Sequence, residues 1–265
     1  MKLLLNDNRV DINKGRNTGE MPLHIACQKG HLDIVKLLLN DQRTDVNKTE
    51  NKFSETPFYF ACENGHTELM KLLLNDRRVD INKANRNGIT PFYVACEKRH
   101  TDIVKLLLNN KRIEANKENI KIQTFYIACL NGNIEIVKLL LNDNRVDINI
   151  ADSKGRTPFL IACADGHIDI VKLLLNNERV DINKADNERT TPFYIACENG
   201  HIRIVKYLLT CGREMEMNKK DEYGKTAFDV ARKAEKTNIV ELIESFQKNQ
   251  NETRSKLRKE FDLPG

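Results

Sequence analysis

The chain has 265 residues, 40% of them hydrophobic and 31% charged, the balance of a folded chain and not of a disordered one. Its 43 basic and 38 acidic side chains leave +5, too small a surplus to make capture of a nucleic-acid backbone the default. No apolar stretch nears the roughly 20 residues of a membrane span, and Asn6-Asp7 cuts the apolar start short of a signal peptide's roughly 7–15 residues.

By length alone about two globular domains are expected, but internal repetition replaces that picture. The dipeptide Ala-Cys recurs at Ala26, Ala61, Ala95, Ala128, Ala162 and Ala196, and a degenerate copy lies at Ala231-Arg232. In the copy from Gly155 to Lys184, Thr157-Pro158 signals a helix start, because the hydroxyl accepts an orphan amide and proline's fixed φ suits the first helical position. A first helix, A, is expected from Pro158 to about Asp165, with Phe159, Ala162 and Cys163 as its apolar stripe. Gly166-His167 breaks it. A second helix, B, begins near Ile168 with Ile170, Val171, Leu173 and Leu174 inward, and ends at Asn176-Asn177, where a left-handed asparagine cap is expected. Val180-Asp181-Ile182-Asn183 then alternates as an extended finger does. Neither helix buries its stripe alone, so the units are expected to stack into an elongated solenoid.

These landmarks resemble those of the ankyrin repeat. Met21-Pro22-Leu23-His24-Ile25-Ala26-Cys27, Gly30-His31, Leu37-Leu38-Leu39 and Val46-Asn47 match the family's signature, and the match recurs to about Phe246. The resemblance implies an all-α fold, an ankyrin-type solenoid of stacked helix-turn-helix units with β-hairpin or finger loops. The signature histidine stands only at His24 and is otherwise replaced, by Tyr59, Tyr93, Tyr126 and Tyr194 among others. In chain order, residues 1–18 read as a partial repeat (helix B and finger), 19–223 as six full repeats, 224–246 as a C-terminal capping repeat, and 247–265 as a polar linker with a short C-terminal helix. The start without its own helix A suggests an array cut from a longer one, or an end that pairs with something else.

Six of the seven cysteines, Cys27, Cys62, Cys96, Cys129, Cys163 and Cys197, share one helix A position. Stacked repeats hold equivalent atoms roughly 10 Å apart, too far for a disulfide or a shared zinc, so these read as buried apolar groups of a reducing compartment, the cytoplasm or nucleus. His31, His66, His100, His167 and His201 also repeat in register and read as caps of the inter-helix turn. Arg9, Arg43, Arg78, Arg112, Arg145 and Arg179 form a ladder, each with an acid two residues on, which suggests inter-repeat ion pairs. No unique nucleophile, acid-base pair or phosphate loop stands outside the pattern, so no catalytic, cofactor or metal site and no enzyme is expected. In the family, the asparagine that ends each Val/Ile-Asn motif is a substrate of asparaginyl hydroxylation; the resemblance extends this to Asn13 and Asn183, which have Leu5 and Leu175 eight residues before them.

Positions that repeat explain stacking, so specificity is expected where copies differ: at the finger tips and the outer face of helix A, which line the concave groove of ankyrin-like stacks. The fourth full repeat is irregular, with Ile122 for a turn glycine and Leu130 where three other copies carry Glu, and Ile89 and Ile150 extend its apolar character. The partner-binding candidates are Phe53, Arg86, Ile89, Ile120, Ile122, Leu130, Arg156 and Arg189. The function expected is that of a monomeric, non-enzymatic scaffold for a protein or peptide partner, with no membrane contact. The alternatives are the targeting arm of a larger enzyme or channel, and nucleic-acid binding through the Arg and Lys fingers.

Overall fold

The structure, a computed structural model, describes residues 7, 9–115 and 124–263. Among these it contains helices and turns and no strand. Fifteen helices follow in order: α1 (Pro22–Lys29), α2 (Leu32–Asn40), α3 (Pro57–Glu63), α4 (Thr67–Asn75), α5 (Pro91–Glu97), α6 (Thr101–Leu108), α7 (Thr124–Leu130), α8 (Ile134–Leu141), α9 (Pro158–Ala164), α10 (Ile168–Leu175), α11 (Pro192–Glu198), α12 (Ile202–Thr210), α13 (Ala227–Lys233), α14 (Thr237–Lys248) and α15 (Gln250–Glu260). Odd-numbered helices up to α13 are A helices and their even-numbered successors B helices. The chain forms two compact bodies, Met1–Thr124 with Asn142–Val146, and Phe125–Leu141 with Asp147–Gly265.

Four of the A helices, α3, α5, α9 and α11, start as the Thr-Pro signal demands. The Thr157 hydroxyl accepts the Leu160 amide at 3.1 Å, and Thr56, Thr90 and Thr191 cap their helices in the same way. At Met21, which has no hydroxyl, the His24 ring substitutes: its Nδ1 accepts the Met21 amide at 3.2 Å. The A helices are short and buried nearly all round, Phe58 through Cys62 and Phe159 through Cys163 without a break. Within the first body α1 packs on α3 and α3 on α5; within the second, α9 on α11 and α11 on α13. Helices α3 and α11 are thus clamped between neighbours, and their burial is a property of the stack.

The B helices are amphipathic, with a register one step from that expected. In α10 the buried set is Ile170, Val171, Leu174 and Leu175, and Leu173 is half-exposed. Their ends differ too: Asn109 and Asn176 lie in the right-handed region, and the caps of α2 and α4, Asp41 and Asp76, are extended. No left-handed asparagine is needed, because the last carbonyls are satisfied from outside. Arg78 donates to Leu39 O at 2.6 Å, Arg112 to Leu74 O at 2.9 Å, Arg145 to Leu108 O at 2.7 Å, and Arg179 to Leu141 O. A cation at a helix C-terminus also meets the negative end of the helix dipole. The ladder's carboxylate partners lie two residues before the arginines, as in Arg43–Asp41, Arg78–Asp76 and Arg145–Asp143, each at 2.6 Å. The acids two residues after them instead accept the amide of the asparagine that follows, as Asp80 does from Asn82.

Two further ladders join repeats. The Nε2 of His66, His100, His167 and His201 donates to Gln28 O, Glu63 O, Leu130 O and Ala164 O of the preceding repeat; the histidines therefore tie repeats together and do not cap their own turn. The motif asparagines reach forward: Asn82 Nδ2 donates to Arg112 O at 2.7 Å while its Oδ1 accepts the Glu114 amide at 2.9 Å. Asn13, Asn47, Asn149 and Asn183 make the same pair of bonds.

The polar run expected as a linker, 247–251, is helical except at Asn249. The Asn249 side chain accepts the Glu252 amide, which ends α14 and starts α15 in a single joint. Helix α15 folds back on α12 and α14, burying Thr253 and Leu257.

Candidate partner-binding surface

In five of the described segments between a B helix and the next A helix, the chain closes a finger turn on one acceptor side chain. Asp152 Oδ1 accepts the amides of Lys154 and Arg156, both at 2.9 Å, and Gly155 takes the left-handed φ of 78°. Asn85, Asp186 and Asp221 close their turns in the same way. In the second repeat, Glu50 does this with a longer arm, accepting the amides of Lys52, Phe53 and Glu55. Adjacent tips are pinned by single backbone bonds: Asn51 N to Thr18 O and Arg86 N to Phe53 O in the first body, Asn187 N to Lys154 O and Glu222 N to Glu188 O in the second. The alternation expected in the finger stems is present as burial, with Val180 and Ile182 inside and Asp181 exposed, although the backbone forms turns.

Two of the tyrosines that replace the signature histidine reach forward to these turns. Tyr194 donates to Asp221 Oδ2 at 2.6 Å and Tyr126 to Asp152 Oδ2 at 3.2 Å. Burial is the first cause that pushes the Tyr126 hydroxyl up to about 12. The arrangement couples the floor of one helix A to the finger of the next repeat, a link that His24 makes by donating to Glu55 O.

The sequence candidates separate into two groups. In the first body, Phe53 (39% exposed) lies under the Lys52 ammonium at 4.8 Å, and the Arg86 guanidinium donates to Asn51 O at 3.1 Å, so the two tips form one aromatic and basic edge. Ile89 is half-buried. In the second body, Leu130 and Ile150 are half-buried, and Arg156 is held by Asp152, Nε at 2.8 Å and the ion pair at 2.6 Å. Arg189 is exposed with φ 64°, where Gly19, Gly88, Gly155 and Gly224 stand in other fingers and Ser54 in one. Ile120 and Ile122 lie outside the described residues. The hydroxylation candidates Asn13 and Asn183 are half-exposed, with both amide atoms engaged on the next repeat.

Absent from the shortlist is Tyr223, at 77% the most exposed large apolar side chain among the described residues. It lines a cleft of about 670 Å³ with Glu188, Tyr194, Glu198, Asp229 and Val230, among others, between two fingers and helices α11 and α13. Its sequence signal was an aromatic residue directly before the turn glycine, Gly224, a place that Phe53 takes before Ser54 and that Thr18, Asn87, Lys154 and Glu188 take in other copies. The shortlist also lacked Arg213, a further ladder arginine, which donates to Val180 O at 2.6 Å and Leu175 O at 3.5 Å.

Helix pairs in register, joined by finger loops and stitched by recurring side chains, define a repeat protein of the helix-turn-helix class. The family model of ankyrin repeats (three copies) matches residues 1–50, 42–119, 125–221 and 178–253. The chain belongs to the ankyrin repeat family. Among solved structures it is similar to the ankyrin repeat domain of Bcl-3, described as a unique member of the IkappaB protein family, with a TM-score of 0.75 and 24% identity over 85% of this chain and 99% of that one. A search of curated proteins gave no match. Ankyrin repeats are generally protein–protein interaction modules and typically non-enzymatic. No helix among the described residues is long and apolar enough to cross a membrane.

Proposed function

We propose that the chain is a non-enzymatic scaffold that docks a protein or peptide partner on its finger tips and helix A faces. The observation that supports this is the location of exposed aromatic surface. Phe53 and Tyr223 are the two large hydrophobic side chains left exposed among the described residues, and both stand at finger tips, where aromatic and arginine side chains make the strongest anchors of an interface. Arg86 and Arg189 flank these tips, Leu130 supplies an apolar patch on helix A, and the seven free thiols suit a reducing compartment, cytoplasm or nucleus.

The test is capture of a partner on the immobilised chain, followed by titration of that purified partner against variants whose helical circular dichroism matches the native chain. Phe53→Ser or Tyr223→Ser should weaken binding at least about tenfold, as should Leu130→Glu combined with Ile122→Asp if the fourth repeat contributes. Native affinity in all three would remove the finger and groove reading. A steep fall of affinity with salt toward a nucleic acid, with none toward protein, would replace it with the nucleic-acid alternative.

A further inference from the structure

Helix α15 contacts α12 where this last full repeat departs from the pattern of its predecessors. Three residues before the helix B lysine, earlier repeats carry Asp33, Glu68, Asp102, Glu135 and Asp169, but here stands Arg203. Lys71 and Lys138 keep their acid partner three residues back; Lys206 instead meets both carboxylate oxygens of Glu260 on α15, at 2.7 and 2.9 Å. One residue on, Leu37, Leu72, Leu106, Leu139 and Leu173 give way to Tyr207. Leu173 is half-exposed, whereas Tyr207 is 5% exposed with Phe261 edge-on at 5.2 Å between ring centroids.

The arginine ladder supplies a third departure. Its carbonyl rungs are Leu39, Leu74, Leu108, Leu141 and Leu175, and the next is Leu209. The 34-residue step from Arg179 to Arg213 would place the matching arginine at 247, where Gln247 lies inside α14. The rung is nonetheless filled: Arg254 Nε donates to Leu209 O at 3.3 Å, and Arg258, one turn along α15, to Thr210 O at 3.4 Å. Carbonyls of a last helical turn have no partner within their own helix and carry negative partial charge, so a guanidinium from any direction serves them.

We propose that α15 is a clasp for the end of the stack, a surrogate for the finger segment that the last repeat lacks. It brings to α12 the guanidinium that a ladder arginine brings elsewhere, and Lys206 and Tyr207 form its docking site. Leu257 and the Tyr207–Phe261 contact give the clasp an apolar seat, and the Lys206–Glu260 pair adds a charged contact that rising salt weakens.

Amide hydrogen exchange on the full chain tests this with surface substitutions that leave the core intact. Arg254→Ala should speed exchange in α12 about fivefold, the size of one such bond, and Arg213→Ala should do the same in α10. Lys206→Glu should free the amides of 250–260, adding Glu260→Lys should restore them, and 1 M NaCl should act as Lys206→Glu does. The clasp is refuted if residues 250–260 already exchange at the rate of a free peptide in the native chain, or if the charge-reversed pair protects no better than Lys206→Glu alone.

Discussion

One asparagine side chain with its donor and its acceptor on the next repeat couples two repeats, and its loss leaves two backbone groups to find new partners. Asn82 is 9% exposed, so water replaces its bonds poorly. Asn82→Ala should cost about 1–3 kcal/mol, read from the midpoint of urea unfolding; a change within error would mean that the bonds to Arg112 O and Glu114 N contribute nothing net. Arg189 tests the opposite sign. A non-glycine residue at φ 64° bears about 1–2 kcal/mol of backbone strain, so Arg189→Gly should raise stability. If Arg189 contacts a partner, the same change should weaken binding, and stability and affinity moving in opposite directions would identify a residue kept for contact. Both rising together would remove Arg189 from the interface.

At the scale of elements, the turn between helices A and B depends on a close approach. Gly166 has φ 79°, and a Cβ there would lie 2.8 Å from Cε1 of His201, whose Nε2 donates to Ala164 O. Gly166→Ala should therefore destabilise by more than the roughly 1 kcal/mol of a helix-interior Gly/Ala difference, because it strains the turn and displaces an inter-repeat bond together. Thermal unfolding of the variant checks this, and a midpoint unchanged from native would show that the histidine ladder carries no stability. The helix starts were legible because a Thr-Pro cap is local chemistry. The left-handed asparagine caps expected at helix B ends do not form, because the arginines that satisfy those carbonyls come from about 38 residues away. The same distance hid α15: a polar run reads as a linker until α12 offers it a surface.

Across the whole molecule, contacts between neighbouring repeats make stability a sum of local terms within each body. Asn82→Ala and Asn183→Ala, with no shared partner, should add in a double variant, whereas Asn183→Ala, which releases Glu214 O and Glu216 N, and Arg213→Ala, on that same segment after α12, should not; double-mutant analysis of unfolding free energies distinguishes the two cases. The buried thiols set a response to pH. Burial pushes Cys27, Cys62, Cys129, Cys163 and Cys197 well above the ordinary thiol range. An unfolded thiol ionises near about 8.5, so above that pH the unfolded chain releases protons that the folded chain retains. The stability held by neutral thiols is complete below about pH 8.5 and is lost as pH rises toward the folded values. Melting temperature should fall steadily between pH 8 and 10 by calorimetry, and a flat profile would contradict it.

Period, helix starts, buried cysteine positions and the family could be read from the sequence, because each rests on residues within one repeat, and repetition multiplies the same local signal. The direction of the histidine and arginine bonds, the forward reach of tyrosine to the next turn, the exposure of Tyr223 and the docking of α15 were decided only by tertiary structure. Each depends on which groups from different repeats come within about 3 Å of one another, and spacing along the chain carries no record of that.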